Sequence, residues 1–286
     1  MQKIQITTDS TCDLSKALIK KYNVATLPLA VITDDEHLDG VDYFPSDIFK
    51  YVQETKKLPK TAARSVADFE DFFKKFIDAG SDVVHIGIGS KLSSSYENAC
   101  AAAKNVGNGH VFVVDSSSLS TGTGLLVVSA AEMVTAGKTA EQIANKIAER
   151  AAFVQAGFVV DRLDYLYKGG RCSALAMFGA NLLKIKPRLQ VVDGKIINNG
   201  KYFGKLVPVL KKYIDEVLRD YPNMDKKRCF ITHASLDAES VAEIVDYVKS
   251  KNIFGEVLET CAGATITSHC GPNTLGILYI NDGDKK

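Results

Sequence analysis

The chain has 286 residues, of which 46% are hydrophobic and 24% are charged, as is ordinary for a globular protein. Its 35 basic and 34 acidic residues give a formal net charge of +1, so no electrostatic footprint for nucleic acid or an anionic membrane is present. We expect no signal peptide and no transmembrane helix, because no run approaches the ~20 apolar residues that a membrane span needs.

The cysteines favour a reducing compartment. The six are scattered, without a C-x-x-C pair or a histidine at ligand spacing. They are Cys12, Cys100, Cys172, Cys229, Cys261 and Cys270. We therefore expect neither a disulfide framework nor a zinc site, and we place the protein in the cytoplasm.

The first half of the chain alternates between apolar runs and helical patterns. Strands are predicted over 3–10, 24–32, 82–89 and 110–116, with Asp13 and Ser46 as N-caps of the first two helices. Other helices are predicted from the amphipathic segment 65–80, from "SYENACAAAKNVG" and from "TGLLVVSAAEMVTAG". Because the strands are continuously apolar, they indicate a mostly parallel sheet with helices on both faces, an α/β fold.

The second half breaks this rhythm. A short helical turn, "RLDYLYKGG", precedes an apolar helix predicted over 173–186, and a hairpin follows over 188–201 with Asp193-Gly194 as its turn. Helices and further strands come after it, so we expect a C-terminal α+β domain. The division is predicted as 1–155 and 156–286.

Hydroxyl groups crowd the strand-to-helix junctions of the first half. Ligands of open α/β sheets lie at the carboxyl ends of the strands, and polar segments leave those ends at 7–11, 59–65, 89–95 and 115–124. Helix capping explains one or two hydroxyls at a junction, but residues 90–95 contain four serines. The excess favours a rim that binds a phosphate or carboxylate, with capping alone as the alternative.

Several familiar enzymatic sites are excluded or disfavoured. No G-x-x-x-x-G-K-[ST] and no G-x-S-x-G motif is present, and "TGTGLLV" is a poor match to G-x-G-x-x-G. The five histidines show no ligand pairing, so no metal is expected. An enzyme acting on a small phosphorylated or carboxylated metabolite at the same rim stays open.

Two motifs of the second half are candidates for the site. "YKGGRCS" places Arg171 after two glycines, and "TITSHCGPNTLG" surrounds His269 with hydroxyl residues, glycine and proline. A surface salt bridge and a structural histidine are the alternatives. The helix predicted over 173–186 is apolar on almost every face, which is typical of a buried helix or of the wall of an apolar channel.

Taken in order, these segments resemble the DegV family of bacterial fatty-acid-binding proteins. The similarity rests on motifs that cover nearly the whole chain. They are Thr8-Asp9-Ser10, Thr61–Ser65 in part, Ser90–Tyr96, Asp115-Ser116 with Ser120–Gly124, Leu163–Arg171 and His269–Gly276.

The resemblance implies a function as well as a fold. It implies a fatty acid buried between two domains, its carboxylate bound by Thr61 and Ser93, with Arg171 and His269 near the carboxylate end. It implies a carrier without catalysis or cofactor, which presents the fatty acid to a separate ATP-dependent fatty acid kinase that makes acyl phosphate for phospholipid synthesis. We expect a monomer that touches membranes transiently.

Three positions depart from the family pattern. Ala62 and Arg64 replace the usual serine and proline beside Thr61. Ser94 replaces a glycine, and its side chain is expected either to crowd the carboxylate or to add a donor. We therefore include Ser94 among the predicted ligand-binding residues.

Overall fold

The structure is a computed structural model, and it describes residues 2–107, 109–172 and 185–283. In chain order, the elements of the first half are β1 (Lys3–Asp9), α1 (Lys16–Lys21), β2 (Ala25–Leu27), β3 (Ala30–Ile32), β4 (Glu36–Leu38), α2 (Pro45–Thr55), β5 (Lys60–Ala62), α3 (Val66–Ile77), β6 (Ser81–Gly87), α4 (Ser95–Val106), β7 (Val111–Asp115), α5 (Thr121–Thr135) and α6 (Ala140–Ala151).

The second half continues the series. Its described elements are β8 (Val154–Val159), α7 (Asp164–Gly169), β9 (Lys186–Val192), β10 (Lys195–Tyr202), α8 (Leu206–Asp220), β11 (Arg228–Ala234), α9 (Ala238–Ser250), β12 (Glu256–Cys261), α10 (Ala264–Cys270) and β13 (Thr274–Ile280). The predicted hairpin is confirmed as β9 and β10, with Asp193 and Gly194 at positive φ in its turn. A helix is predicted over 173–186, and residues 173–184 of that range lie outside the described residues. Lys186, at the end of the range, begins β9.

Three sheets organise the described residues. A parallel sheet has the strand order β2-β1-β6-β7, a six-stranded mixed sheet has the order β10-β9-β8-β13-β11-β12, and a small antiparallel sheet has the order β4-β3-β5. The predicted α/β class, with a parallel sheet flanked by helices and a second sheet beyond it, is confirmed.

Helix layers cover both large sheets. The phenylalanines of α3 and the alanines of α4 pack on one face of the parallel sheet. Helices α5 and α6 pack on its other face, and the same hydrophobic core continues to β8, β9, β11 and β13 of the six-stranded sheet. Helices α8 and α9 cover the outer face of that sheet. Helix α5 therefore lies between the two sheets, which explains why Thr121–Ala131 are all buried.

Several local predictions are wrong, each for a physical reason. The strand predicted over 24–32 is two short strands in different sheets, because Pro28 lies between them and has no N–H for a ladder. Ser15, not Asp13, caps α1 by accepting from the Leu18 N–H at 3.3 Å. Ser46 lies inside α2, where Asp47 instead accepts from the Phe44 N–H at 2.8 Å.

The boundary between the two predicted domains lies within β8. That strand belongs to the six-stranded sheet, but its side chains share a core with α5 and α6. The division at 155/156 stays a prediction. Across the described ranges, no helix has both the length and the hydropathy that crossing a bilayer requires.

Candidate functional site

Two of the predicted site residues, Thr61 and His269, are in contact although they lie far apart in the sequence. Thr61 lies on β5, paired with Val31 of β3, and His269 lies near the end of α10. Thr61 Oγ1 and His269 Nε2 are 2.8 Å apart, although 208 positions separate the residues along the chain. His269 is thus presented from a helix, two residues before the glycine that ends it.

The environment of His269 keeps its ring neutral. Burial, assisted by the positive charge of Arg171, lowers the pKa of His269 from its ordinary 6.5 to about 4. Its Nδ1 is buried and has no hydrogen-bond partner among the described residues. A Cβ on Gly169 would lie 2.4 Å from that nitrogen, so only glycine leaves room for the ring.

A neutral imidazole can set the direction of the Thr61 hydrogen bond. The tautomer with its proton on Nε2 donates to Thr61 Oγ1, and Nδ1 then carries only a lone pair in its buried position. In that arrangement the Thr61 hydroxyl proton is free to point elsewhere. The pair can therefore offer a donor to a ligand oxygen.

Arg171 lies between the turn after α7 and the loop that carries Ser93. Its Nη1 donates to the Gly169 carbonyl at 2.9 Å, and its Nε donates to the Leu92 carbonyl at 3.4 Å. The side chain is exposed at the surface rather than held in a buried salt bridge. The guanidinium thus links the turn after α7 to the loop that carries Ser93.

The four serines of residues 90–95 have different partners. Ser90 is structural, since its N–H and hydroxyl donate to the Asp115 carboxylate at 3.0 and 2.6 Å. Ser93 Oγ accepts from the Ser95 N–H at 3.2 Å and lies 3.0 Å from Ser95 Oγ, at the start of α4. Ser94 is exposed and makes no side-chain cap to α4. Ser93 is thus a partly buried hydroxyl that contacts the first turn of α4 and follows Leu92, whose carbonyl accepts from Arg171.

An apolar cavity opens beside His269, on the face of the six-stranded sheet that packs against α5. Its walls come from β8, β10, β11, β13, α7, α10 and the segments before α5 and α10. The lining residues are Leu119, Ser120, Gly157, Phe158, Leu166, Ile196, Thr232–Ala234, Ala262, Ile266, His269, Cys270, Thr274, Gly276 and Leu278. His269, one member of the hydrogen-bonded pair, thus lies at the wall of a largely apolar space.

The sequence reasoning missed two carboxylates near the site. Asp13 and Asp39 are buried, and they accept from the N–H groups of Gly263 and Ala264 at 2.8 and 2.7 Å. Asp13 is predicted only as a local cap, and Asp39 has no signal because a lone aspartate between a short strand and a helix is typical of any loop. Among the described residues, no group of three or more His, Cys, Asp or Glu side chains is arranged to hold a metal ion.

The structure thus brings Thr61 and His269 into contact and places Arg171 beside both His269 and the Ser93 loop. It leaves Ser94 exposed at the start of α4. Roles in ligand binding remain predictions for all five residues. The chain is thus an α/β protein with two large sheets, a small third sheet and an apolar cavity that has the His269 imidazole at its wall.

Comparison with known proteins gives the family. The protein-family model described as "Uncharacterised protein, DegV family" matches residues 3–282. The chain therefore belongs to the DegV family. A fatty acid-binding protein of Thermotoga maritima is 33% identical over 280 residues, 96% of each chain.

Solved structures of the family share the fold. A DegV protein from Thermus thermophilus, described for its fatty acid binding, superposes with a TM-score of 0.89 at 28% identity, covering 98% of this chain and all of the other. A stearic acid-binding protein from Eubacterium ventriosum has a TM-score of 0.83 at 28% identity, with 98% of each chain covered. The resemblance to DegV proteins is confirmed.

Proposed function

We propose that this protein binds a long-chain fatty acid, with its carboxylate at Thr61 and His269 and the adjoining part of its acyl chain in the apolar cavity. The observation that carries the proposal is the Thr61 Oγ1–His269 Nε2 pair, 2.8 Å long, with His269 on the cavity wall. The fatty acid binding of similar proteins supports it.

The apolar cavity and the polar groups near it match the acyl chain and the carboxylate of such a ligand. Burying the chain yields ~0.8 kcal/mol per CH₂, but a membrane offers nearly the same gain, so the head-group contacts decide whether the protein can compete. A carboxylate buried without partners costs several kcal/mol. The hydroxyls of Thr61 and Ser93, the nearby Arg171 charge and the exposed Ser94 hydroxyl are the groups proposed to offset that cost.

The same site suits a carrier rather than an enzyme. Hydroxyl donors hold a carboxylate without activating a nucleophile, and they leave one oxygen accessible to a second protein. We propose that the two halves, 1–155 and 156–286, enclose the ligand, and that a cytoplasmic monomer presents it to a separate ATP-dependent fatty acid kinase for acyl phosphate formation. Transient membrane contact would supply the fatty acid.

Mass spectrometry of an organic extract of the purified protein tests the ligand. We expect a stoichiometric long-chain fatty acid, or stoichiometric uptake of stearate by delipidated protein. A phosphorylated metabolite in its place, with no stearate uptake, would contradict the proposal.

The kinase step needs a separate reconstitution. Loaded protein, ATP and a purified fatty acid kinase are expected to yield acyl phosphate, whereas loaded protein and ATP alone yield none. If the protein binds stearate but no acyl phosphate forms, it is a fatty acid-binding protein and the carrier role is refuted.

A further inference from the structure

Two buried carboxylates hold the start of the helix that carries His269. Asp13 Oδ1 accepts from the Gly263 N–H at 2.8 Å, and Asp39 Oδ1 accepts from the Ala264 N–H at 2.7 Å. Both carboxylates come from the first half of the chain, and both are less than a tenth exposed. They therefore satisfy two of the amide groups that a helix leaves unpaired at its N-terminus.

The second oxygen of each carboxylate also accepts a hydrogen bond. The Ser10 hydroxyl donates to Asp39 Oδ2 at 2.8 Å, and the Ser120 hydroxyl donates to Asp13 Oδ2 at 2.5 Å. A Cβ on Gly263 would lie 3.0 Å from Asp39 Oδ1 and 3.2 Å from Asp13 Oδ1, so the two groups close around that glycine. The start of α10 is thus fixed on two sides.

Helix α10 depends on such external contacts. It has seven residues, and an isolated helix of that length is not stable in water. His269 is its sixth residue, so whatever fixes the first turn also fixes the imidazole. Thr61, which the imidazole meets, belongs to the first half of the chain, as do Asp13 and Asp39.

We propose that Asp13 and Asp39 are positioning residues for the site that binds the ligand carboxylate. They place α10 so that His269 Nε2 reaches Thr61 Oγ1. Neither residue is proposed to touch the ligand. The consequence for binding rests on the proposed function, but the placement of His269 does not, since it is a property of the ligand-free protein.

The test compares removal of each acceptor with its conservative replacement. Asp39→Ala and Asp13→Ala remove the acceptor, whereas Asp39→Asn and Asp13→Asn retain a side-chain oxygen for the helix amide. Asp237→Ala is the matched control, because Asp237 caps α9 by accepting from the Ser240 N–H at 2.8 Å. The readouts are the imidazole ¹⁵N and ¹H resonances of His269 in ligand-free protein and the Kd for stearate.

We expect the alanine variants to shift the His269 resonances and to weaken stearate binding about tenfold, the effect expected of losing one hydrogen bond to a buried group. The asparagine variants are expected to restore both to near the parent values. Asp237→Ala is expected to lower stability without changing either readout. Unchanged His269 resonances in both alanine variants would overturn the proposal.

Two milder changes serve if the alanine variants do not fold. Ser10→Ala removes one bond that fixes Asp39, and Gly263→Ala inserts a methyl group between the carboxylates; unchanged His269 resonances in both would equally overturn the proposal. If the parent does not bind stearate but the aspartate variants still shift His269, the positioning role stands and the proposed function fails.

Discussion

At the residue scale, His269 and Thr61 share a single hydrogen bond, and the location of its proton decides what the site can bind. With the proton on Nε2, the Thr61 hydroxyl is free to donate to a carboxylate. Ser93 adds a second hydroxyl on the adjacent loop, whereas Ser94 is exposed. The two partly buried hydroxyls are therefore expected to contribute more than the exposed one.

Hydroxyl removal tests that order. Thr61→Ala and Ser93→Ala are each expected to weaken stearate binding by ~1–3 kcal/mol, the usual effect of losing a hydrogen bond to a charged group. Ser94→Ala removes the exposed hydroxyl of the proposed site and is expected to have the smallest effect of the three, less than about 0.5 kcal/mol. Titration calorimetry measures all three, and a larger effect at Ser94 than at Thr61 would refute this geometry.

The depressed pKa of His269 predicts a pH effect on stability. The pKa of this ring is about 4 in the folded chain and 6.5 in an ordinary setting. As pH falls through that window, the unfolded chain takes up a proton that the folded chain does not, so the contribution of His269 to stability is lost. Burial lowers the pKa of His85 to about 3, with the same sign.

His269→Gln isolates the contribution of one ring. Between pH 6.5 and 5, the variant is expected to lose less stability than the parent protein, by up to about 2 kcal/mol. Urea unfolding at both pH values measures the difference, in which the contribution of every group common to the two proteins, His85 included, cancels. Equal losses in parent and variant would show that His269 is not held neutral.

At the element scale, the site depends on structures that local patterns do not reveal. Helix α10 is short and contains Thr265, Ile266 and Thr267, whose β-branched side chains have low helix propensity. Its stabilising partners, Asp13 and Asp39, are more than 200 residues away. A local stretch of sequence therefore does not predict this helix, because the contacts that stabilise it come from distant residues.

Long elements were predictable because their patterns repeat. Helix α3, the buried strand β6 and the β9–β10 hairpin each carry several periods of signal or a diagnostic turn. The three-residue strands β3, β4 and β5 carry less than two periods, so the small sheet that places Thr61 was not predicted. Residue patterns singled out the segments that contain Thr61, Ser93, Arg171 and His269, but their shared role was implied only by the family resemblance, since no local spacing joins them.

The close approach of α7 to α10 supplies a third test. Gly169→Ala places a methyl group 2.4 Å from His269 Nδ1, so the ring has to move. We expect stearate binding to weaken about tenfold and stability to fall by ~1–3 kcal/mol from overpacking. Gly255→Ala, whose new Cβ would lie 3.3 Å from its nearest neighbour, is the control. Parent-like binding in Gly169→Ala would mean that the ring position is not important.

At the scale of the whole molecule, the two large sheets share one core through α5. That core extends from Ile6 and Val84 on the parallel sheet to Phe158 and Leu278 on the six-stranded sheet. The cavity lies on this shared side, with Phe158 and Leu278 among its walls. A ligand there contacts both halves of the chain, so binding is expected to raise the cooperative unfolding temperature of the entire protein.

The most direct measurement is a crystal structure of the protein with stearate. The proposal predicts a carboxylate oxygen within about 3 Å of Thr61 Oγ1, a normal hydrogen-bond length, and an acyl chain extending past His269 along Phe158 and Leu278. A carboxylate away from Thr61 and His269, or an acyl chain bound outside this cavity, would contradict it.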